Sequence, residues 1–265
     1  MTRRHITFGC GEEKLVGTLD GADGPVGLLI VSGGNEIRSG AFSGQAKLAA
    51  KIADAGYRVF RYDRPGIGDS SGDNRGFRDE RGHVASAQDA FKAQSPSLSR
   101  IVAFGNCDAA SALMLQGGAG CEGLVLANPW TFDEDNGDAL PPEAIRARYA
   151  KKLADPREWF RLLRGKVSIR KLVGGLTRAA TSSPSTTSLA ADMRNGLADY
   201  GGDIRFLIAG RDRTGLAFCS AWGKDDRVSV RDGADHAFSA PEDFEWLRAQ
   251  LLSALDEQAR QLNMG

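Results

Sequence analysis

Ile101-Val-Ala-Phe-Gly105-Asn-Cys107-Asp-Ala109-Ala-Ser-Ala-Leu-Met114 decides the fold of this chain. A short β-branched and aromatic run stops at Gly105, and an alanine- and leucine-rich run with helical spacing begins just past Cys107. A strand that turns this sharply into a helix projects the turn residue, Cys107, away from both elements. The residues two before and two after it are forced together, so both must be small, as Gly105 and Ala109 are. That geometry presents a nucleophile at the end of a strand, with cysteine here where serine is more common. The plain alternative for Cys107 is a small buried hydrophobe, the usual fate of a lone free cysteine.

Outward from this stretch, 26–31 (Val-Gly-Leu-Leu-Ile-Val) and 124–127 (Leu-Val-Leu-Ala) are continuous apolar runs, the pattern of strands covered on both faces. Residues 57–62, 204–209 and 227–231 read as further strands, and 3–9 with 14–19 as an opening pair that turns at Gly11 and Glu12. Helical spacing covers 41–55, 81–94, 214–222 and 241–262. Strands alternating with helices predict an α/β fold with a doubly wound, mostly parallel sheet. Between 127 and 204 the strand pattern vanishes, and a structureless loop of that length is implausible. Helical patches at 142–153, 157–164, 168–180 and 188–199 predict an inserted helical cap. The expected organisation is a core made of 1–129 and 202–265, with a cap over 130–201.

Composition narrows the function classes. The 265 residues carry 34 basic and 34 acidic side chains, which argues against a nucleic-acid-binding protein. The cysteines at 10, 107, 121 and 219 lack CxxC spacing, so neither a zinc site nor a disulfide framework is expected. No cluster has metal-ligand spacing, and no GxGxxG follows the first buried strand, so no metal, nicotinamide or other cofactor is expected. The basic N-terminus lacks an apolar segment behind it. Neither a signal peptide nor a transmembrane span is read there, and a reducing cytoplasm fits best.

In a parallel sheet, ligands bind beyond the carboxyl ends of the strands. After 26–31 comes Ser32-Gly33-Gly34-Asn35-Glu36, whose glycines let the backbone approach a substrate. The N–H groups of Gly34 and Asp108 are the candidate oxyanion hole, with the Asp108 side chain expected to point away. An ordinary glycine-rich turn is the equally weighted alternative. The turn-rich segment 63–70 (Asp-Arg-Pro-Gly-Ile-Gly-Asp-Ser) is read as structural. Asp212 follows the strand at 204–209, and His236 follows the strand at 227–231. Cysteine, acid and histidine thus each lie just past a strand, in that order. His236 would accept the thiol proton and later protonate the leaving group, while Asp212 would fix the imidazole tautomer. The plain readings are a surface histidine and a helix N-cap. Asp235 competes as the acid, but its place beside His236 suits the ring poorly.

These segments, together with Asn128-Pro-Trp130, resemble the α/β-hydrolase superfamily over nearly the whole chain. More narrowly, they are similar to hydrolases associated with exosortase A systems in bacterial exopolysaccharide clusters. The resemblance implies Cys107, Asp212 and His236 as a catalytic triad. The expected function is a thiol-dependent acyl hydrolase, an esterase or thioesterase working through a covalent acyl-thioester. An acyltransferase with the same triad and a non-catalytic binding protein are the alternatives. Cysteine in place of serine suits transfer and thioester exchange as well as hydrolysis.

Glu36, on the proposed oxyanion loop, is a candidate for holding the resting thiol neutral, as a glutamate in a similar loop does in cysteine-dependent dienelactone hydrolases. A surface salt bridge to Arg38 is the favoured alternative. Asn35, Trp130, Trp159 and Phe160 are the candidate pocket lining. Residues 141–180 carry eleven basic against three acidic side chains. That run is either a solvated helical face or an attraction for an anionic partner such as acyl-CoA, an acyl-carrier protein or anionic lipid.

Overall fold

The computed structural model describes residues 2–78, 82–132 and 188–264. Eight strands form one sheet in the order β1-β2-β4-β3-β5-β6-β7-β8. They are β1 Arg3–Cys10, β2 Glu13–Asp20, β3 Val26–Val31, β4 Arg58–Tyr62, β5 Arg100–Asn106, β6 Gly123–Ala127, β7 Asp203–Ala209 and β8 Val228–Arg231. The first two pair antiparallel across the turn at Gly11–Glu12, and β2 pairs antiparallel with β4. From β4 to β8 every pairing is parallel. The described helices are α1 Gly44–Asp54, α2 His83–Ala93, α3 Asp108–Leu115, α4 Ser188–Gly196, α5 Arg213–Trp222 and α6 Pro241–Met264.

The apolar runs become central strands because both of their faces are covered. Along β5, Ile101 and Ala103 join one core cluster while Val102 and Phe104 join the other. β6 repeats this alternation, with Leu124 and Leu126 on one face and Val125 and Ala127 on the other. The first cluster takes Phe91 of α2, Leu113 of α3, Leu189 and Met193 of α4 and Phe218 of α5. The second takes Leu48 and Ile52 of α1 with Leu247, Leu251 and Leu255 of α6. A period of two along the strands thus feeds two helical layers.

Strand order reverses around β3, whose neighbours are β4 on one side and β5 on the other. The crevice at such a switch point is where the loops after two adjacent strands diverge. Here those loops are 32–36 and the turn at Cys107. The helix expected at 188–199 is present as α4, and its Leu189, Ala190 and Met193 are buried in the core. The remaining helical patches expected of the cap, the basic run at 141–180, Trp159 and Phe160 lie outside the described residues. Among the described residues, no helix is long and apolar enough to cross a membrane.

Candidate active site

Cys107 sits between β5 and α3 with φ 61° and ψ −127°. This left-handed backbone is uncommon for a residue with a side chain, and strain of this kind persists only where the surroundings impose it. The surroundings here are tight. The Cys107 N–H donates to the Ala127 carbonyl at 3.0 Å, and its own carbonyl accepts from Ala110 at 3.1 Å. A Cβ on Gly105 would lie 2.8 Å from the backbone of Ala109 and Ala110. The turn therefore needs glycine at 105, and Ala109 across from it is fully buried.

Asp212 ends the loop after β7 and His236 lies in the loop after β8. The structure brings the two together, with His236 Nδ1 2.9 Å from Asp212 Oδ2. The same carboxylate oxygen accepts from the Gly215 N–H at 2.9 Å and caps α5. Asp212 is thus both an N-cap and the partner of an imidazole. The hydrogen bond that His236 donates to Asp212, then that with Cys107, raises the His236 pKa to about 10 against an opposing contribution from burial. His236 thus meets both Asp212 and the Cys107 thiol. Asp235 is engaged elsewhere. Its carboxylate accepts from the N–H groups of Ala237 at 3.2 Å and Ser239 at 2.9 Å, and from the Ser239 hydroxyl.

Loop 32–36, the candidate oxyanion loop, differs from expectation. Asp108 does not turn away: its Oδ1 accepts from the Gly34 N–H at 2.7 Å. Two features permit this. Gly33 has no Cβ, and one placed there would lie 2.5 Å from Asp108 Oδ1. Arg64, buried with its side chain 3% exposed, lies 3.8 Å from Asp108 Oδ2 and donates to the Gly34 carbonyl. The Gly34 amide is therefore occupied by a carboxylate. The N–H of Asp108, first in α3, has no intrahelical acceptor.

Glu36 does not pair with Arg38. Its carboxylate accepts from Gln45 Nε2 at 3.1 Å, and Arg38 instead pairs with Asp63 and, at 2.9 Å, with Asp69. Loss of solvation raises the Glu36 pKa, while the Ala41 amide and the nearby His236 oppose that rise and Asp108 adds to it. Asn35 Oδ1 accepts from Asn74 Nδ2 at 2.8 Å, tying the loop to the segment after β4. The 63–70 segment is built as a brace: the Asp63 carboxylate accepts from the Arg38 and Asp69 N–H groups, and the Ser70 hydroxyl joins it to β2. Trp130 lies beside the elbow, its backbone N–H donating to the Cys107 carbonyl at 3.3 Å, its indole N–H to the Phe132 carbonyl at 3.1 Å, and its ring edge-on to that of Phe132.

A cavity of about 60 Å³ opens beside the site, lined in part by Glu36, Leu48, Phe104, Asn106 and Phe238. A larger one, about 510 Å³, lies at the other end of the sheet around Arg100, Glu122 and Asp203. Arg100 donates to Gln258 and Gln261, Asp203 accepts from the same two glutamines, Glu122 accepts from the Ile101 N–H, and the cavity is remote from Cys107. Among the described residues no group of His, Cys, Asp and Glu is arranged to hold a metal ion.

Sequence reading missed Asn106 and Asn128. Both side chains donate to the His236 carbonyl, at 3.1 and 3.2 Å. The available signal was the polar residue that closes each of two apolar strand runs.

The family model described as Alpha/beta hydrolase family matches residues 28–247. No curated protein matches the chain. Among solved structures, a putative hydrolase from Agrobacterium vitis S4 is similar at 19% identity and a TM-score of 0.55, covering 96% of this chain and 98% of that one. The Pyrococcus furiosus esterase Pf2001 is similar at 14% identity and a TM-score of 0.62, covering 97% and 92%. The proline iminopeptidase of Mycobacterium smegmatis is similar at 15% identity and a TM-score of 0.58, covering 97% and 100%. At these identities the likeness is one of fold.

Proposed function

The chain belongs to the alpha/beta hydrolase family, and from that premise we propose that it is a thiol-dependent acyl hydrolase acting on an ester or thioester through Cys107, His236 and Asp212. The observation that carries this reading is the 2.9 Å contact between Asp212 and the one imidazole that also meets Cys107. The imidazole that takes up the Cys107 thiol proton is held by Asp212, so the sulfur attacks as a thiolate.

Cys107 Sγ attacks the acyl carbonyl carbon, and the carbonyl π electrons move to oxygen. As the tetrahedral species collapses, the bond to the leaving group breaks and that group takes the proton from His236 Nε2. The acyl group remains on Cys107 as a thioester. Water then attacks it while neutral His236 accepts the water proton. Expulsion of the thiolate releases the acid and restores the ion pair. Throughout, Asp212 holds Nδ1–H and so keeps Nε2 facing the sulfur. The Asp108 N–H stabilises the oxyanion, and the Gly34 N–H joins it once the Asp108 carboxylate swings to Arg64.

An amine, alcohol or thiol in place of water makes the same intermediate an acyl donor. The cavity beside Asn106 supports a short group on one side of the scissile bond, since its volume holds only a few waters. The basic run at 141–180 supports an anionic acyl carrier such as acyl-CoA or an acyl-carrier protein. Intact-mass spectrometry after a rapid quench with a p-nitrophenyl acyl ester or an acyl-CoA tests the reading. An acyl adduct is expected on the wild type and absent from Cys107→Ala, and its decay in water measures hydrolysis. No adduct on either protein, with no released nitrophenol or CoA, overturns it.

A further inference from the structure

Asn128 directly follows β6 in a left-handed conformation, φ 42°, and is fully buried. Its side-chain amide meets three separate parts of the site. Oδ1 accepts from the Ala209 N–H at 2.8 Å, at the end of the strand that leads to Asp212. Nδ2 donates to the His236 carbonyl at 3.2 Å and to Asn106 Oδ1 at 3.0 Å, in the residue just before Cys107. Asn106 Nδ2 donates to that same His236 carbonyl at 3.1 Å.

The orientation of both amides follows from their backbone partners. A backbone N–H can only donate, so the Asn128 atom facing Ala209 is oxygen and the other is nitrogen. A backbone carbonyl can only accept, so both atoms facing the His236 oxygen are NH2 groups. The Asn128–Asn106 bond then has a donor on Asn128 and an acceptor on Asn106, with no amide flip left open. The room around Asn128 is also closed, since a Cβ on Gly215 would lie 2.6 Å from its Oδ1.

We propose that Asn128, acting with Asn106, is a positioning residue that fixes His236 between Asp212 and Cys107 by clamping the histidine's own carbonyl to the ends of β5, β6 and β7. The proposal rests on the reading of His236 and Cys107 as the working pair. It assigns a role to a site built entirely from protein groups. Without the clamp, the His236 carbonyl loses both side-chain donors, while the turn after it keeps its bonds to Asp235. The loop stays folded, and the imidazole loses its fixed distance to Asp212.

The experiment is the titration of the His236 ring by NMR in the intact protein, with His236→Gln used to assign it among the three histidines. The charged or titratable groups facing the ring are Asp212, Cys107 and Glu36, and none of them is altered. Asn128→Ala and Asn106→Ala should each lower the His236 pKa by about one unit or more toward its ordinary value. Asp212→Asn marks the full loss. Alkylation of Cys107 by iodoacetamide at pH 7 should fall about tenfold in the same variants, within the cost of a misplaced catalytic group. A residue that only packs would lower the melting temperature and leave the ring titration unchanged, and that outcome overturns the proposal. Asn106→Ala leaves the Ala209 bond intact, so it decides the matter if Asn128→Ala does not fold. A wild type whose ring titrates high but which forms no acyl adduct refutes the proposed function and leaves the clamp standing.

Discussion

Asp212→Asn separates two roles that one carboxylate performs. Asparagine caps a helix about as well as aspartate, so the bond to Gly215 and the start of α5 survive. The charge facing His236 is lost. That hydrogen bond is the largest cause lifting the His236 pKa from 6.5 to about 10, a span of some three and a half units. The imidazole is partly open to water, its side chain 42% exposed, so solvent screens part of that effect. We expect Asp212→Asn to lower the His236 pKa by about one to two units. Proton transfer from the Cys107 thiol to His236 then becomes less favourable, and the rate of Cys107 alkylation at pH 7 should fall by about 10- to 100-fold. The assay is the iodoacetamide rate from pH 4 to 10, read by mass at Cys107. Burial pushes the Cys121 thiol up to about 12 and raises that of Cys219, so neither competes. Stability must move with the same sign. A raised histidine pKa contributes stability that is complete below about pH 6.5 and is lost as pH climbs through about 10. The melting temperatures of wild type and Asp212→Asn should therefore converge at the alkaline end. An alkylation profile that Asp212→Asn leaves unmoved would refute the ion-pair reasoning.

Other perturbations probe the rest of the site. Asp108→Ala removes the carboxylate that occupies the Gly34 N–H and should speed acylation of Cys107 several-fold in rapid-quench measurements; an unchanged rate means that the Gly34 amide takes no part. The same variant should lose about 0.3–1 kcal/mol of stability, because a negative charge leaves a helix N-terminus. Gly105→Ala forces a methyl group against the backbone of Ala109, which cannot yield as a side chain would. We expect it to cost about 1–3 kcal/mol in denaturant melts and to abolish acylation. If Glu36 holds the thiol neutral, Glu36→Gln should raise the alkylation rate at pH 6 several-fold, and an unchanged pH profile removes Glu36 from control of the sulfur.

Contact geometry explains why loop 32–36 departed from the simplest expectation. Residue types alone place two donors, Gly34 and Asp108, at the ends of neighbouring strands. They do not say that Gly33 leaves space for the Asp108 side chain, nor that a buried Arg64 stands close enough to favour a carboxylate there. Likewise, a charge pair between Glu36 and Arg38 is reasonable from spacing. It is overridden because the Asp63 carboxylate, from the loop after β4, accepts from both the backbone N–H and the guanidinium of Arg38.

The strands, their layering and the order of Cys107, Asp212 and His236 past strand ends were legible in the sequence, because they follow from local physics. Continuous apolar runs must be covered on both faces, and a strand that turns at once into a helix needs small residues around the projecting one. Periodicity carries that information within a few residues. What only the tertiary structure decided is which further groups meet: Asp108 on Gly34, Asp63 on Arg38, and Asn128 joining three strand ends. Those contacts join residues as far apart as 130 positions, such as Asn106 and His236, and hydrogen bonds are too short-ranged and directional for any sequence interval to specify them. They exist only once the whole sheet has set the register of its strand ends.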